Sequence, residues 1–364
     1  MNIINSHNSW SRLEEVWLGD VYPESFYEHL EPEVRDVFQH ITRITKEDLQ
    51  IIQNKLEELG VVVRRPVYGS IENYIDQKGV LRKPSIMPRD YFLTLGNNLY
   101  CTNYDYTPDW QDTINKYKKC KYSNVKPVLY NWHMKNSIVG SHTIRAGKDL
   151  YIDFEFWNND NGSIHDAFIN QKLPSIGGQT LKDEFSNYRT HLIFNGGHID
   201  ATFAILRPGL ILASTYYDQY HKTFPNWKTI NCIAPEFAPE AQRTNEPHLN
   251  GKFFVPGLSS QSKSFNQYII DHALEWVGSY TETYFELNCL VIDENNVLML
   301  GNNEKLFTEL EQHNITVHSL PFRTRTFWDG GLHCLTLDIR RQSTVEDYFP
   351  ERGPSGSITV YNES

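Results

Sequence analysis

Four stretches share one pattern of apolar and polar positions: an apolar, β-rich run, a short break of Gly, Asn, Asp or Pro, and a second apolar run. They are DYFLTLGNNLYCTN from Asp90, HTIRAGKDLYIDF from His142, ATFAILRPGLILAST from Ala201 and NCLVIDENNVLMLGN from Asn288. Turn residues between β-rich runs predict a hairpin in each. A different period follows Thr45, where Leu49, Ile52, Leu56 and Leu59 fall on one helical face. Thr45, with Asp48 three residues on, predicts the N-cap of that helix, and Gly60 its end before the strand VVVRR. Late in the chain NNEKLFTELEQHN repeats the helical period, with Leu306 and Leu310 four apart, and leads into the strand ITVHSLPF. A strand pair, a helix and a returning strand thus recur as ββαβ modules at intervals of roughly 50 to 90 residues.

No Pro-rich or Ser-rich linker divides the chain, so one domain over residues 1–364 is expected. The polar stretches Asn158 to Ser163 and Pro235 to Asn250 read as surface loops, and the tail after Tyr348 as a frayed terminus. With 40% hydrophobic and 22% charged residues, the chain can bury a large core. A net charge of −11 argues against a nucleic-acid binder, because the one basic cluster, Lys116 to Lys121, is short. The start, MNIINSHNSW, has no charged-then-apolar leader, and no apolar run approaches the roughly 20 residues that span a bilayer. A cytoplasmic protein without membrane contact is therefore expected. Five scattered cysteines without a CxxC pair predict neither a disulfide framework nor a zinc ribbon. The histidines show no i, i+4 pairing, and DFEFWNNDNG lacks the spacing of an EF-hand loop, so no metal or other cofactor is expected.

Against this background WDGGLHCLTLDIRR, Trp328 to Arg341, stands out. Paired glycines just upstream of Cys334 let backbone and ligand approach closely, which a nucleophile needs and a space-filling cysteine does not. A thiol with an ordinary pKa of about 8.5 also needs a base or cation nearby. His198 in FNGGHIDATF follows another glycine pair and precedes Asp200 at alternate spacing, so on a strand both would share a face, whereas His333 would point away from Cys334. GGHID and GGLHC read as two rims of one cavity, with Asp90 of MPRD as a third candidate. Taken singly, a strand histidine is usually structural and a lone cysteine usually core. Trp328 is as apt to pack as to line a pocket.

MPRDYFLTLGN, GGHIDATFAILRPGLILAS and GGLHCLTLDIRR, with NSWSRLEEVWLGD near the start, resemble the glycine amidinotransferase family, which includes inosamine-phosphate and cyanotoxin amidinotransferases. The likeness covers nearly the whole chain. It implies a five-bladed α/β propeller of ββαβ modules around a central site. It also implies ping-pong chemistry, in which a cysteine takes the amidino group of arginine, ornithine leaves, and an amine acceptor receives the group. By motif match Cys334 would be the nucleophile, His198 the acid/base, and Asp90 and Asp200 the carboxylates that hold the planar cation. Gly197, Gly331, Arg89 and His142 would stand with them at the substrate. The expected partners are a small-molecule donor and an amine acceptor. Dimers are common among such proteins, which makes a homodimer one candidate state, and no residue in the sequence fixes an interface.

The sequence departs from the family at two places. Where the family reads roughly FDAADFIRAGRD, this chain has IVGSHTIRAGKD, which puts Val139 at the aspartate that orients the catalytic histidine and His142 at the second aspartate. Valine cannot fix an imidazole tautomer, and Asp153 and Glu155 on the following strand are the candidate substitutes. At the family's arginine for the substrate carboxylate stands Tyr217, and an expected serine falls at Thr281 or Glu282. Three readings remain open: an amidinotransferase with an unusual donor or acceptor; a Cys/His acyltransferase or hydrolase acting on a thioester, ester or amide, with an acyl carrier protein as candidate partner; and a non-catalytic relative.

Overall fold

In the computed structural model the described residues are 3–101, 104–127, 139–153, 185–193, 198–214, 220–232, 255, 257–258, 262–277 and 286–361. Strand β1 (Leu13–Leu18) is followed by the helix α1 (Pro32–Glu58) and by β2 (Val62–Arg64), which lies parallel to β1. The helix starts a full 13 residues before the N-cap expected at Thr45. Val34, Phe38 and Ile41 carry the buried face backwards, and Pro32 suits the first turn because its missing N–H has no partner there. Thr45 serves tertiary contacts instead: its hydroxyl meets Ile41 O at 2.7 Å and Thr324 Oγ1 at 2.8 Å, and accepts from Trp328 Nε1 at 3.1 Å. Asp48 accepts from the backbone and guanidinium of Arg323. Gly60 ends the helix region as expected, at a φ of 78° that glycine reaches without strain.

All four expected hairpins form. They are β3 (Phe92–Leu95) with β4 (Asn98–Cys101), β6 (Thr143–Ala146) with β7 (Asp149–Asp153), β9 (Phe203–Arg207) with β10 (Leu210–Ala213), and β12 (Leu290–Asp293) with β13 (Asn296–Leu300). Each second strand takes a parallel third: β5 (Asn124–Pro127), β8 (Arg189–Ile193), β11 (Lys228–Asn231) and β14 (Thr316–Leu320) respectively. A parallel return needs a crossover, supplied by Gln111–Lys118 before β5, Tyr220–Thr223 before β11 and Glu304–Gln312 before β14.

The fifth sheet is split between distant parts of the chain. Strand β15 (Thr336–Arg341) pairs antiparallel with β1, so it plays toward β1 and β2 the role that a first hairpin strand plays elsewhere. The tail expected to fray forms β16 (Ile358–Tyr361), which extends the β6–β7–β8 sheet by pairing parallel to β8. The result is a mixed α/β architecture of five small sheets among the described residues. Every residue of β6, β7, β8 and β10 is buried, because both faces of these strands are covered. Trp328 packs: it is 1% exposed and stacks on Trp276. All five cysteines are free. Among the described residues no helix is long and apolar enough to cross a membrane.

Asp338 in the middle of β15 binds the sheets together. Its carboxylate accepts from Arg89 at 2.9 Å, Arg341 at 2.8 Å and Ser6 at 3.0 Å, and also from Arg145. The three guanidiniums reach outward in turn: Arg145 to the carbonyl of Thr94 in β3, Arg341 to the carbonyl of Val291 in β12, and Arg89 to the carbonyls of His333 and Thr336. All four charged groups are buried, so each depends on the others for solvation.

Candidate active site

Cys334 does not lie on a strand. A helical turn, Arg325–Trp328, ends at Asp329 in the left-handed region, and residues 331–335 coil tightly before β15, with Leu335 N donating to Gly331 O at 3.0 Å. The glycine pair lets this coil press against protein. A Cβ on Gly331 would stand 2.7 Å from Asn288 Cβ and 2.8 Å from its carbonyl oxygen, and one on Gly330 would meet Met87 at 2.9 Å. The close approach puts Asn288 around the cysteine. Its Oδ1 accepts from Cys334 N at 3.0 Å, its Nδ2 donates to Cys334 Sγ at 2.9 Å, and its carbonyl accepts from His333 N at 3.1 Å.

Because the segment coils, His333 does not point away from the cysteine as a strand would require. His333 Nδ1 lies 2.7 Å from Asp200 Oδ2, and Cys334 Sγ lies 3.5 Å from that same oxygen. His198 and Asp200 likewise leave strand geometry, since Ile199–Ala201 is a 3-10 turn with His198 at its entrance. Asp90 ends another such turn, Pro88–Asp90. Three turns therefore converge, and ligand atoms of Asp90, His198 and Cys334 lie within 4.8 Å of one another. This is a spacing at which the three could also surround a metal ion. His142, at the end of the turn Gly140–His142, faces His198 edge-on with ring centroids 5.2 Å apart. Arg89, beside Asp90, runs into the core instead, where its Nε donates to the carbonyls flanking Cys334, those of His333 at 2.8 Å and Thr336 at 2.9 Å.

The two carboxyls near the sulfur are shifted in opposite directions. Burial pushes the Asp90 carboxyl up; the nearby charges of His198 and Lys83 oppose this and that of Asp200 adds to it. Burial also pushes Asp200 up, but the hydrogen bond from His333 and the positive charges of His198 and Arg89 outweigh it and hold the carboxyl below its usual range. His333 is pushed down to about 4 by burial and by Arg89, so it is neutral at physiological pH and donates its Nδ1 proton to Asp200. Among the described residues, Oδ1 of both Asp90 and Asp200 is buried without a hydrogen-bond partner. At about 3.5 Å, a thiolate and a carboxylate repel by roughly 5 kcal/mol at an effective dielectric of about 20. A planar cation laid across the two carboxylates would relieve that repulsion.

Val139 is buried, and its carbonyl accepts from His142 N and Thr143 Oγ1. Asp153 is buried at the end of β7. Gly197, Tyr217, Glu155, Thr281 and Glu282 lie outside the described residues, as do the stretches 158–163 and 235–250. Sequence reasoning missed Asn288, because an asparagine opening an apolar run reads as an ordinary turn residue. It also misplaced His333, whose proximity to Asp200 depends on a coil that a strand pattern hides.

No protein-family profile matches the chain. Inosamine-phosphate amidinotransferase 1 of Streptomyces glaucescens is 21% identical to it over 400 aligned positions, covering 96% of this chain and 99% of that protein. The mitochondrial glycine amidinotransferase of Gallus gallus is 24% identical, covering 94% of this chain and 84% of its own. Among solved structures, the amidinotransferase SxtG of Microseira wollei, from a saxitoxin biosynthetic pathway, superposes with a TM-score of 0.62 at 19% identity, covering 95% of this chain and 99% of its own. The chain is thus similar to amidinotransferases along nearly its whole length, as its motifs implied, and it shares their fold.

Proposed function

We propose that this protein is a cysteine-dependent amidino-group transferase of specialised metabolism, with its five sheets arranged as the blades of a propeller around the site. The observation that carries the reading is the convergence of Cys334, His198 and Asp90 within 4.8 Å, with Asp200 3.5 Å from the sulfur. Asp90 and Asp200 hold the guanidinium group of arginine or an analogue. The Cys334 thiolate attacks the central carbon, and the C–N bond to the leaving amine breaks as His198 delivers a proton to that amine. The amidino group stays on sulfur until an amine acceptor, deprotonated by His198, attacks the same carbon and regenerates the thiolate. Two carboxylates explain why a cation binds and why it reacts: its charge offsets theirs and makes the thiolate tenable.

Val139, in place of the family's orienting aspartate, favours a second reading, acyl transfer from a thioester, ester or amide, which a Cys/His pair can carry out. Two carboxylates beside the sulfur are a poor setting for the oxyanion of acyl transfer, which ranks this reading second. Incubation with arginine and a panel of primary amines, with ornithine as readout, tests the first reading. Ornithine release that requires Cys334 and falls by on the order of a hundredfold or more in His198→Ala is expected. Release in Cys334→Ala at the wild-type rate would refute it.

A further inference from the structure

The sulfur of Cys334 faces an anion, Asp200 Oδ2 at 3.5 Å, and this alone disfavours a thiolate. On its other contacts stands Asn288, at the mouth of β12. The orientation of that amide is fixed by its neighbours: the backbone N–H of Cys334 can only donate, so Oδ1 must face it, which turns the donor Nδ2 to the sulfur at 2.9 Å. The Asn288 main chain is itself held, by His333 N at 3.1 Å and by the contact with Gly331. We infer that Asn288 is a further catalytic residue, whose side-chain amide donates to the Cys334 sulfur and sustains the thiolate beside Asp200. The inference rests on the cysteine-dependent reading above.

The groups that bear on the sulfur come from four parts of the fold: Asp90 and Arg89 from the turn before β3, His198 and Asp200 from the turn before β9, His333 from the coil itself, and Asn288 from the start of β12. A donor hydrogen-bonded to the charged form stabilises it, so losing the Nδ2 donor must raise the pH at which Cys334 becomes nucleophilic.

The pH dependence of Cys334 alkylation by iodoacetamide, followed by peptide mass spectrometry, reads this without any substrate. In alkylation the thiolate displaces iodide, forming an S–C bond as the C–I bond breaks. Asn288→Asp keeps the acceptor for Cys334 N but replaces the donor by an anion. At neutral pH Cys334 should react at least about tenfold more slowly, equivalent to one unit in its midpoint, with the high-pH plateau kept. Asn288→Ala removes the donor without adding charge and should shift the midpoint the same way by less. Circular dichroism and an unchanged urea midpoint report that the fold persists, and if the Asp variant loses it the Ala variant decides. A wild-type midpoint in a folded variant overturns the inference and leaves the transfer reading standing. A shifted midpoint in a protein that releases nothing from arginine upholds Asn288 and removes the transfer reading.

Discussion

At the scale of single residues, the site depends on contacts that leave no room for a methyl group. Gly331→Ala would drive a Cβ into the Asn288 main chain, which cannot swing aside as a flexible side chain would. The expected cost is about 1–3 kcal/mol of stability, read as a lower denaturation midpoint, together with slower Cys334 alkylation as Asn288 is displaced. Asp200→Asn should lower amidino transfer by on the order of a hundredfold, since it removes the charge opposite the cation, while circular dichroism stays unchanged. Glycine pairs, short motifs and the family resemblance single out Cys334, His198, Asp90 and Asp200 in the sequence, and the structure brings them together, but on turns where the sequence reads strands. The directions of their side chains were not legible. Alternation along a strand put His333 on the wrong side of Cys334, and only the coil between Gly331 and Leu335 brings both to Asp200.

At the scale of elements, what sequence shows is what neighbours along the chain produce. Four hairpins were readable because each turn joins its own two strands. The pairing of β1 with β15 was hidden because its partners come from opposite ends of the chain, and β16 was hidden because a short polar tail becomes a strand only when β8 offers it an edge. The helix α1 was half seen: its buried face continues back to Val34, but Thr45 and Asp48, which imitate a cap, are engaged with Thr324 and Arg323. Asp338 is the element-scale fastener, one carboxylate shared by three buried arginines of which one grips the Cys334 coil. Asp338→Ala should cost about 3–5 kcal/mol, because it leaves three buried cations without their anion. Urea denaturation compares it with the wild type, and a change under 1 kcal/mol (about the value of an ordinary hydrogen bond) would show that the cluster is balanced elsewhere.

At the scale of the whole molecule, the buried histidine at the site ties folding to pH. Burial and Arg89 push His333 down to about 4 in the folded protein from the ordinary imidazole value of 6.5, so the unfolded chain binds its proton more readily across that window. Its contribution to stability is therefore present above about 6.5 and is lost as pH falls toward 4. His333→Gln should flatten the stability profile there by up to about 1.4 kcal/mol per pH unit, measured as denaturation midpoints across the window. An unchanged slope would mean that His333 is protonated in the folded protein. Under the proposed function, Cys334, where the three turns meet, holds the amidino group on its sulfur between the two half-reactions. Intact-protein mass spectrometry after incubation with arginine, and separately with simple acyl thioesters, tests this most directly when wild type is compared with Cys334→Ala. A gain of one amidino group from arginine that requires Cys334 is the predicted result. An acyl gain that requires Cys334, with nothing gained from arginine, would contradict it.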